Sequence, residues 1–192
     1  MMNKHPNTRS GSILWARQIM ETGFDILDCE TTGLGGGAEC IQLTVMDSEG
    51  RSKLSTYVKP SQRIEPGAFG VHGISNEMLI HAPLFTQVIP SLRAAVSGRL
   101  VVAFNLDFDR RIIRQTCARY HVDPPKAAGF DCAMLRFGAF HGELKKGSQQ
   151  FKWHSLNNAC KYFNIERVSS HESLVDCRAT LDIIMHMATA QL

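Results

Sequence analysis

No apolar run in this 192-residue chain approaches the roughly 18 residues that a membrane-spanning helix requires, so no transmembrane helix is expected. The N-terminal stretch MMNKHPNTRSGSILWARQIM lacks the apolar core of a secretory signal, so a cytoplasmic chain with no membrane partner is expected. An excess of one charge is missing too. Against 21 Lys and Arg stand 18 Asp and Glu, and the net +3 tolerates a polyanionic partner without naming one. The six cysteines (Cys29, Cys40, Cys117, Cys132, Cys160, Cys177) are scattered, form no C-x-x-C pair and sit among apolar neighbours. A disulfide framework is thereby excluded, and they read as reduced core thiols. Also absent are G-x-x-x-x-G-K-[ST], H-E-x-x-H and G-x-S-x-G, which removes the P-loop, the zincin helix and the serine nucleophile elbow. What remains is an ordinary globular composition, 44% hydrophobic and 20% charged, long enough for one core. Residues 1–20 read as an N-terminal tail with a short helix over 13–20, and residues 21–192 as a single domain.

Residues 24–30 (FDILDCE) form a short strand, followed by the turn-rich TTGLGGGAE. In residues 40–46, Ile41, Leu43 and Val45 alternate with Gln42 and Thr44, the pattern of a half-buried strand, and a tight turn then leads into KLSTYV as a hairpin. Residues 60–83 are loop with short helical turns, and 84–96 are an amphipathic helix. Strands at 100–104 and 128–132 alternate with helices at 108–120 and 133–140, the latter ended near Gly142. A polar, basic loop (143–154) precedes a helix N-capped by Ser155 and a long final helix over 173–189. Three strands followed by alternating strand and helix predict an α/β fold, a mixed five-stranded sheet with helices on both faces.

The acidic residues are distributed unusually. Side chains two apart on a strand leave the same face, so Asp28 and Glu30 project together while Cys29 points away. At about 5 Å and an effective dielectric of about 20, two such charges repel by roughly 3 kcal/mol. A divalent, oxygen-seeking cation such as Mg²⁺ or Mn²⁺ relieves that repulsion. A second acidic pair, Asp107 and Asp109, opens the helix after the fourth strand; Asp107 reads as a cap and Asp109 as the metal-facing member. His171 and Asp176 form a third group at the start of the last helix, close enough in sequence to reach one centre. The bland alternatives are solvated charges at a strand end and simple helix caps.

Three ordered blocks carry a resemblance: D-C-E-T-T-G at 28–33, N-L-D-F-D at 105–109 and H-x-x-x-x-D at 171–176. With V-H-G-I-S-N-E-M-L at 71–79, F-D-C-A-M-L at 130–135 and K-W-H-S-L-N-N-A-C at 152–160, the chain from Gly23 onward resembles the DEDDh (DnaQ-like) 3′–5′ exonucleases, the group containing the proofreading subunit of bacterial replicative polymerases and RNase T. The resemblance implies an RNase H-like fold. It implies that Asp28, Glu30, Asp109 and Asp176 hold two divalent ions, Mg²⁺ or Mn²⁺, and that His171 is the general base. The implied activity is hydrolysis of phosphodiester bonds from the 3′ end of nucleic acid, single-stranded DNA for preference, releasing nucleoside 5′-monophosphates; the alternatives are an RNA-trimming enzyme or a catalytically silent binding module. A polymerase or repair protein is the implied protein partner. Two positions depart from the family pattern: Phe104 replaces a His that many members carry, and Ser173 replaces a small apolar residue.

For substrate contact, the resemblance singles out Thr31 and Leu34 of the turn after Glu30, His72, Phe104 and Asn105, with Leu34, Phe69 and Phe104 as stacking or wedging surfaces. Glycines 33 and 35–37 read otherwise as a turn with positive φ angles. Arg110, Arg111, Arg114 and Arg119 lie off the core stripe of their helix and, with Lys145, Lys146 and Lys152, are candidate phosphate contacts or a solvated basic face; Trp153 reads as a packing anchor. Gly33, Gly35 and Ala38 also fit a dinucleotide-binding G-x-G-x-x-A, but a strand follows where that fingerprint needs a helix.

Overall fold

The computed structural model describes residues 7–167 and 172–192 of the chain. Its five strands are β1 (Asp25–Thr31), β2 (Cys40–Asp47), β3 (Ser52–Tyr57), β4 (Leu100–Ala103) and β5 (Gly129–Cys132), in the order β3-β2-β1-β4-β5. β1 pairs antiparallel with β2, and β2 with β3, while β1 pairs parallel with β4, and β4 with β5. The helices are α1 (Arg9–Thr22), α2 (Pro66–His72), α3 (Phe85–Val96), α4 (Leu106–Arg119), α5 (Ala133–His141), α6 (Leu156–Phe163) and α7 (Ser173–Thr189), with a 3-10 turn at Glu77–Leu79. This is the mixed α/β sheet that the order of strands and helices predicts.

Strand alternation sends neighbours on β1 to opposite faces. Ile26, with Met46 and Val102, packs against α1, α5 and α7. Leu27 and Cys29, with Leu43, Val45 and Val101, pack against α3 and α4. Helices therefore cover both faces. β2 is buried on both sides rather than half-buried, because its polar members have partners. Gln42 Oε1 accepts from the Ser173 N–H at 3.1 Å, and the Thr44 and Ser173 hydroxyls lie 2.7 Å apart. The departure at Ser173 thus ties the first turn of α7 to β2. All six cysteines are free and buried, and no helix among the described residues is long and apolar enough to cross a membrane.

The N-terminal helix differs from its expectation. It begins at Arg9, where Thr8 caps it by accepting from the Gly11 N–H, and Ile13, Trp15, Ala16 and Ile19 enter the core beside α5 and α7. Residues 9–20 are consequently part of a helix docked on the core by one face rather than tail. The reason is the spacing of these four residues, a helical apolar stripe that the polar residues around it obscure.

At the start of β1 the Asp25 side chain is wholly buried, with Lys53 Nζ at 2.8 Å and Arg99 Nε at 3.6 Å. Lys53 also donates to the Ala95 carbonyl, joining β3 to the end of α3. Lys53→Met removes the closer cation and leaves a buried carboxylate with one distant partner. The expected loss is about 3 kcal/mol of folding stability, the low end for a buried pair because Lys53 is partly exposed, read as a lower urea midpoint at unchanged slope.

Candidate active site

β1 lies in the middle of the sheet and places Asp28 and Glu30 on the α7 face, opposite Thr44 and Gln42 of β2. A β-bulge interrupts the pairing between Glu30 and Thr31, where β1 turns out of the sheet. Asp176 arrives from the first turn of α7, and one oxygen each from Asp28, Glu30 and Asp176 lies within 4.8 Å of the other two. Asp109, buried in the first turn of α4, accepts from the Cys29 N–H through Oδ1 at 3.1 Å. Three distant stretches of sequence thus bring four acids to one end of β1.

Their electrostatics follow from that crowding. Burial, and then the charges of Asp109, Asp176 and Glu30, hold the Asp28 carboxyl well above the ordinary carboxylate range. Glu30 is pushed up to about 7 by burial, then by Asp176 and Asp109. Burial also raises Asp109 to about 7, although the bond from Cys29 pulls in the other direction. Arg167, which the sequence reading missed, pairs with Asp176 and with Asn157 Oδ1, and its charge lowers Asp28 and Glu30. Oxygen donors that repel one another in a buried site suit a hard divalent cation. The acids therefore fit the metal that the sequence implies.

Other expected site residues divide. His171 lies outside the described residues. Asp107 is exposed and is not the cap; Asn105 takes the N-cap position of α4, with no side-chain cap bond. Phe104, directly after β4, is buried in the same core cluster as Ile26, Val102, Ala133 and Phe137, so it does not present an exposed wedging surface. His72 is tied to the site's edge: Nδ1 accepts from the Ile74 N–H at 3.0 Å, so Nε2 carries the proton and donates to the Thr31 carbonyl, also at 3.0 Å. Thr31 is buried, its hydroxyl donating to the Gly33 carbonyl at 2.7 Å. Leu34 is 73% exposed, and Asn105 is exposed at the mouth of α4.

The glycines at 33 and 35–37 do not have positive φ; a Cβ at Gly33 would meet the Glu65 carboxylate at 2.2 Å, which the Glu65 side chain can relieve by moving. Arg111 and Arg119 are partly committed within the fold, Arg111 to the Leu34 carbonyl and Arg119 to Glu39 and the Gly37 carbonyl. Trp153 is 57% exposed and anchors nothing in the core, because it follows the polar loop rather than entering α6.

Sheet order and acidic cluster together define an RNase H-like nuclease fold. The match to the exonuclease family, of the RNase T kind, covers residues 26–184. The chain belongs to that family and is an exonuclease. It is 32% identical over 179 residues to the uncharacterized exonuclease CP81 of Escherichia phage 186, a match covering 90% of this chain and 92% of that protein. It is 26% identical over 178 residues to the DNA polymerase III subunit epsilon of Salmonella typhimurium, over 86% of this chain and 71% of the subunit. Escherichia coli Exonuclease I, in a crystal structure with a dT13 oligonucleotide, superposes with a TM-score of 0.71 at 18% identity, over 87% of this chain and 41% of that one. The chain thus spans under half of Exonuclease I, and that likeness shows the fold alone.

Proposed function

We propose that the chain removes nucleotides from the 3′ end of single-stranded DNA as nucleoside 5′-monophosphates, with two divalent ions, Mg²⁺ or Mn²⁺, held by Asp28, Glu30, Asp109 and Asp176. The observation that carries this reading is the convergence of Asp28, Glu30 and Asp176 within 4.8 Å, with Asp109 bonded to the strand between the first two. When bound, such ions supply an activated water and counter-charge for in-line displacement at phosphorus. The chain's own residues do the rest. Asp28 and Glu30 fix the centre to the end of the central strand, and Asp176 closes it from α7. His171, five residues before Asp176, takes the proton of the attacking water as a neutral imidazole, so rate should rise through neutral pH. Thr31, Leu34, Asn105 and, through its bond to Thr31, His72 shape the edge against which the terminal nucleotide rests.

The oligonucleotide in the Exonuclease I crystal supports single-stranded DNA as the substrate. Likeness to an epsilon subunit extends the reading to a polymerase acting in trans, and the six free thiols suit the reducing cytoplasm. The experiment compares matched single-stranded DNA, duplex DNA with recessed and overhanging ends, and RNA, each labelled at either end. Loss of the 3′ label first, fastest on single-stranded DNA and abolished by chelator, is the expected result. Degradation that persists in chelator refutes the metal reading, and faster loss of RNA refutes the DNA assignment.

A further inference from the structure

A second group of ligating side chains lies outside the acidic centre. α5 ends at His141, followed by Gly142 in the left-handed conformation that turns the chain, φ 86°. Glu143 comes next, at the base of a short hairpin in which the Lys145 N–H donates to the Gln150 carbonyl and Lys152 N–H to the Glu143 carbonyl. The hairpin returns tightly against α5: a Cβ on Gly138 would lie 2.8 Å from the Lys152 carbonyl oxygen. That approach delivers His154, just before the Ser155 cap of α6, onto His141, with ring centroids 4.3 Å apart.

Three features point to a ligand. One donor atom each from His141, Glu143 and His154 lies within 4.8 Å of the other two. His141 Nδ1 and His154 Nε2 are both buried and make no hydrogen bond, and the His154 side chain is only 10% exposed. Glu143 Oε1 is held by Lys152 Nζ at 2.9 Å, while Oε2 faces His154 Nε2 at 3.8 Å, too far for a hydrogen bond. Two orphaned buried imidazole nitrogens beside a half-exposed carboxylate oxygen are costly as they stand. They form the two-His, one-Glu donor set that a borderline divalent cation accepts, with ligand distances of about 2.0–2.2 Å and a fourth position for water. Donors around such an ion lie roughly 3–4 Å apart, so small rotations close the site.

We propose that His141, Glu143 and His154 form a second metal site, for a cation of the Zn²⁺ class, that clasps the 143–152 hairpin between the end of α5 and the start of α6. It is separate from the oxygen-donor centre at Asp28 and does not depend on that centre's chemistry. The imidazoles select against Mg²⁺, which prefers oxygen and keeps its waters. The hairpin carries Lys145 and Lys146, with Trp153 directly after it, so the clasp would fix a basic, aromatic edge.

Co²⁺ is the probe, added to the full chain in excess Mg²⁺ to occupy the carboxylate centre. One Co²⁺ per chain with the intense visible absorption of a low-coordinate nitrogen-ligated ion is expected, unchanged in Asp28→Asn. His154→Asn should weaken it by at least about tenfold. Glu143→Gln, at a position exposed enough to leave folding intact, should do the same, and Zn²⁺ added in the same excess of Mg²⁺ should raise the Tm of the wild type and of Asp28→Asn but of neither His154→Asn nor Glu143→Gln. Absence of the band, its loss in Asp28→Asn, or its persistence at full affinity in Glu143→Gln overturns the proposal.

Discussion

Asp28→Asn is expected to lower kcat for release of the 3′ nucleotide by about a thousandfold and, in the same protein, to raise stability in the absence of metal. The two effects have one origin. Asp28 is the most crowded acid of the cluster: burial and three neighbouring carboxylates oppose its charge. A neutral amide of the same shape relieves that opposition and forfeits the charge that retains a cation. Several kcal/mol of transition-state stabilisation are attributed to such ions, and at about 1.36 kcal/mol per tenfold some 4 kcal/mol corresponds to a thousandfold. Single-turnover digestion of a 3′-labelled strand measures the first effect, and urea unfolding in chelator the second. A variant that keeps wild-type kcat, or that loses both activity and stability, contradicts the role assigned to Asp28.

Without metal, stability is expected to fall as pH rises from about 4 to about 7, and a divalent cation to reverse the loss. Glu30 and Asp109 have folded-state values raised to about 7 from ordinary values of 4.5 and 3.8. Over that interval the native state holds protons that the unfolded chain has released, so unfolding becomes easier with increasing pH. Their stabilising contribution is complete below the unfolded values and gone once the folded values are passed. Each pH unit of displacement represents about 1.4 kcal/mol, which makes the combined loss on the order of a few kcal/mol. Thermal unfolding at pH 5 and pH 8, with and without Mn²⁺, measures it: the Mn²⁺-induced rise in Tm should be the larger at pH 8. An equal rise at both pH values would show that these acids do not bind the ion.

Much of this was legible in the chain. The alternation through Ile41, Leu43 and Val45 and the Ser155 cap located elements closely, because each is a local signal. The grouping of Asp28, Glu30, Asp109 and Asp176 was legible through spacing and resemblance together. Arg167 was not, since a guanidinium reaching the acids depends on how the chain returns before α7, and nothing in I-E-R-V marks it. Phe104 misled because an aromatic beside Asn105 looks like a surface for bases, whereas directly after β4 it is buried in the core cluster that holds Val102. The α1 stripe was underestimated for a related reason: its burial comes from α5 and α7, more than a hundred residues away in sequence.

One consequence of the sheet order concerns how the enzyme regains activity after unfolding. β1 receives its acidic companions from α4 and α7, at positions 109 and 176, and β4 must dock beside β1 before α4 can present Asp109 to the Cys29 amide. Such distant pairings pay loop-closure entropy before they are rewarded, and they form late. Helical content should therefore recover well before turnover does, making nuclease activity itself a probe of the last assembly step.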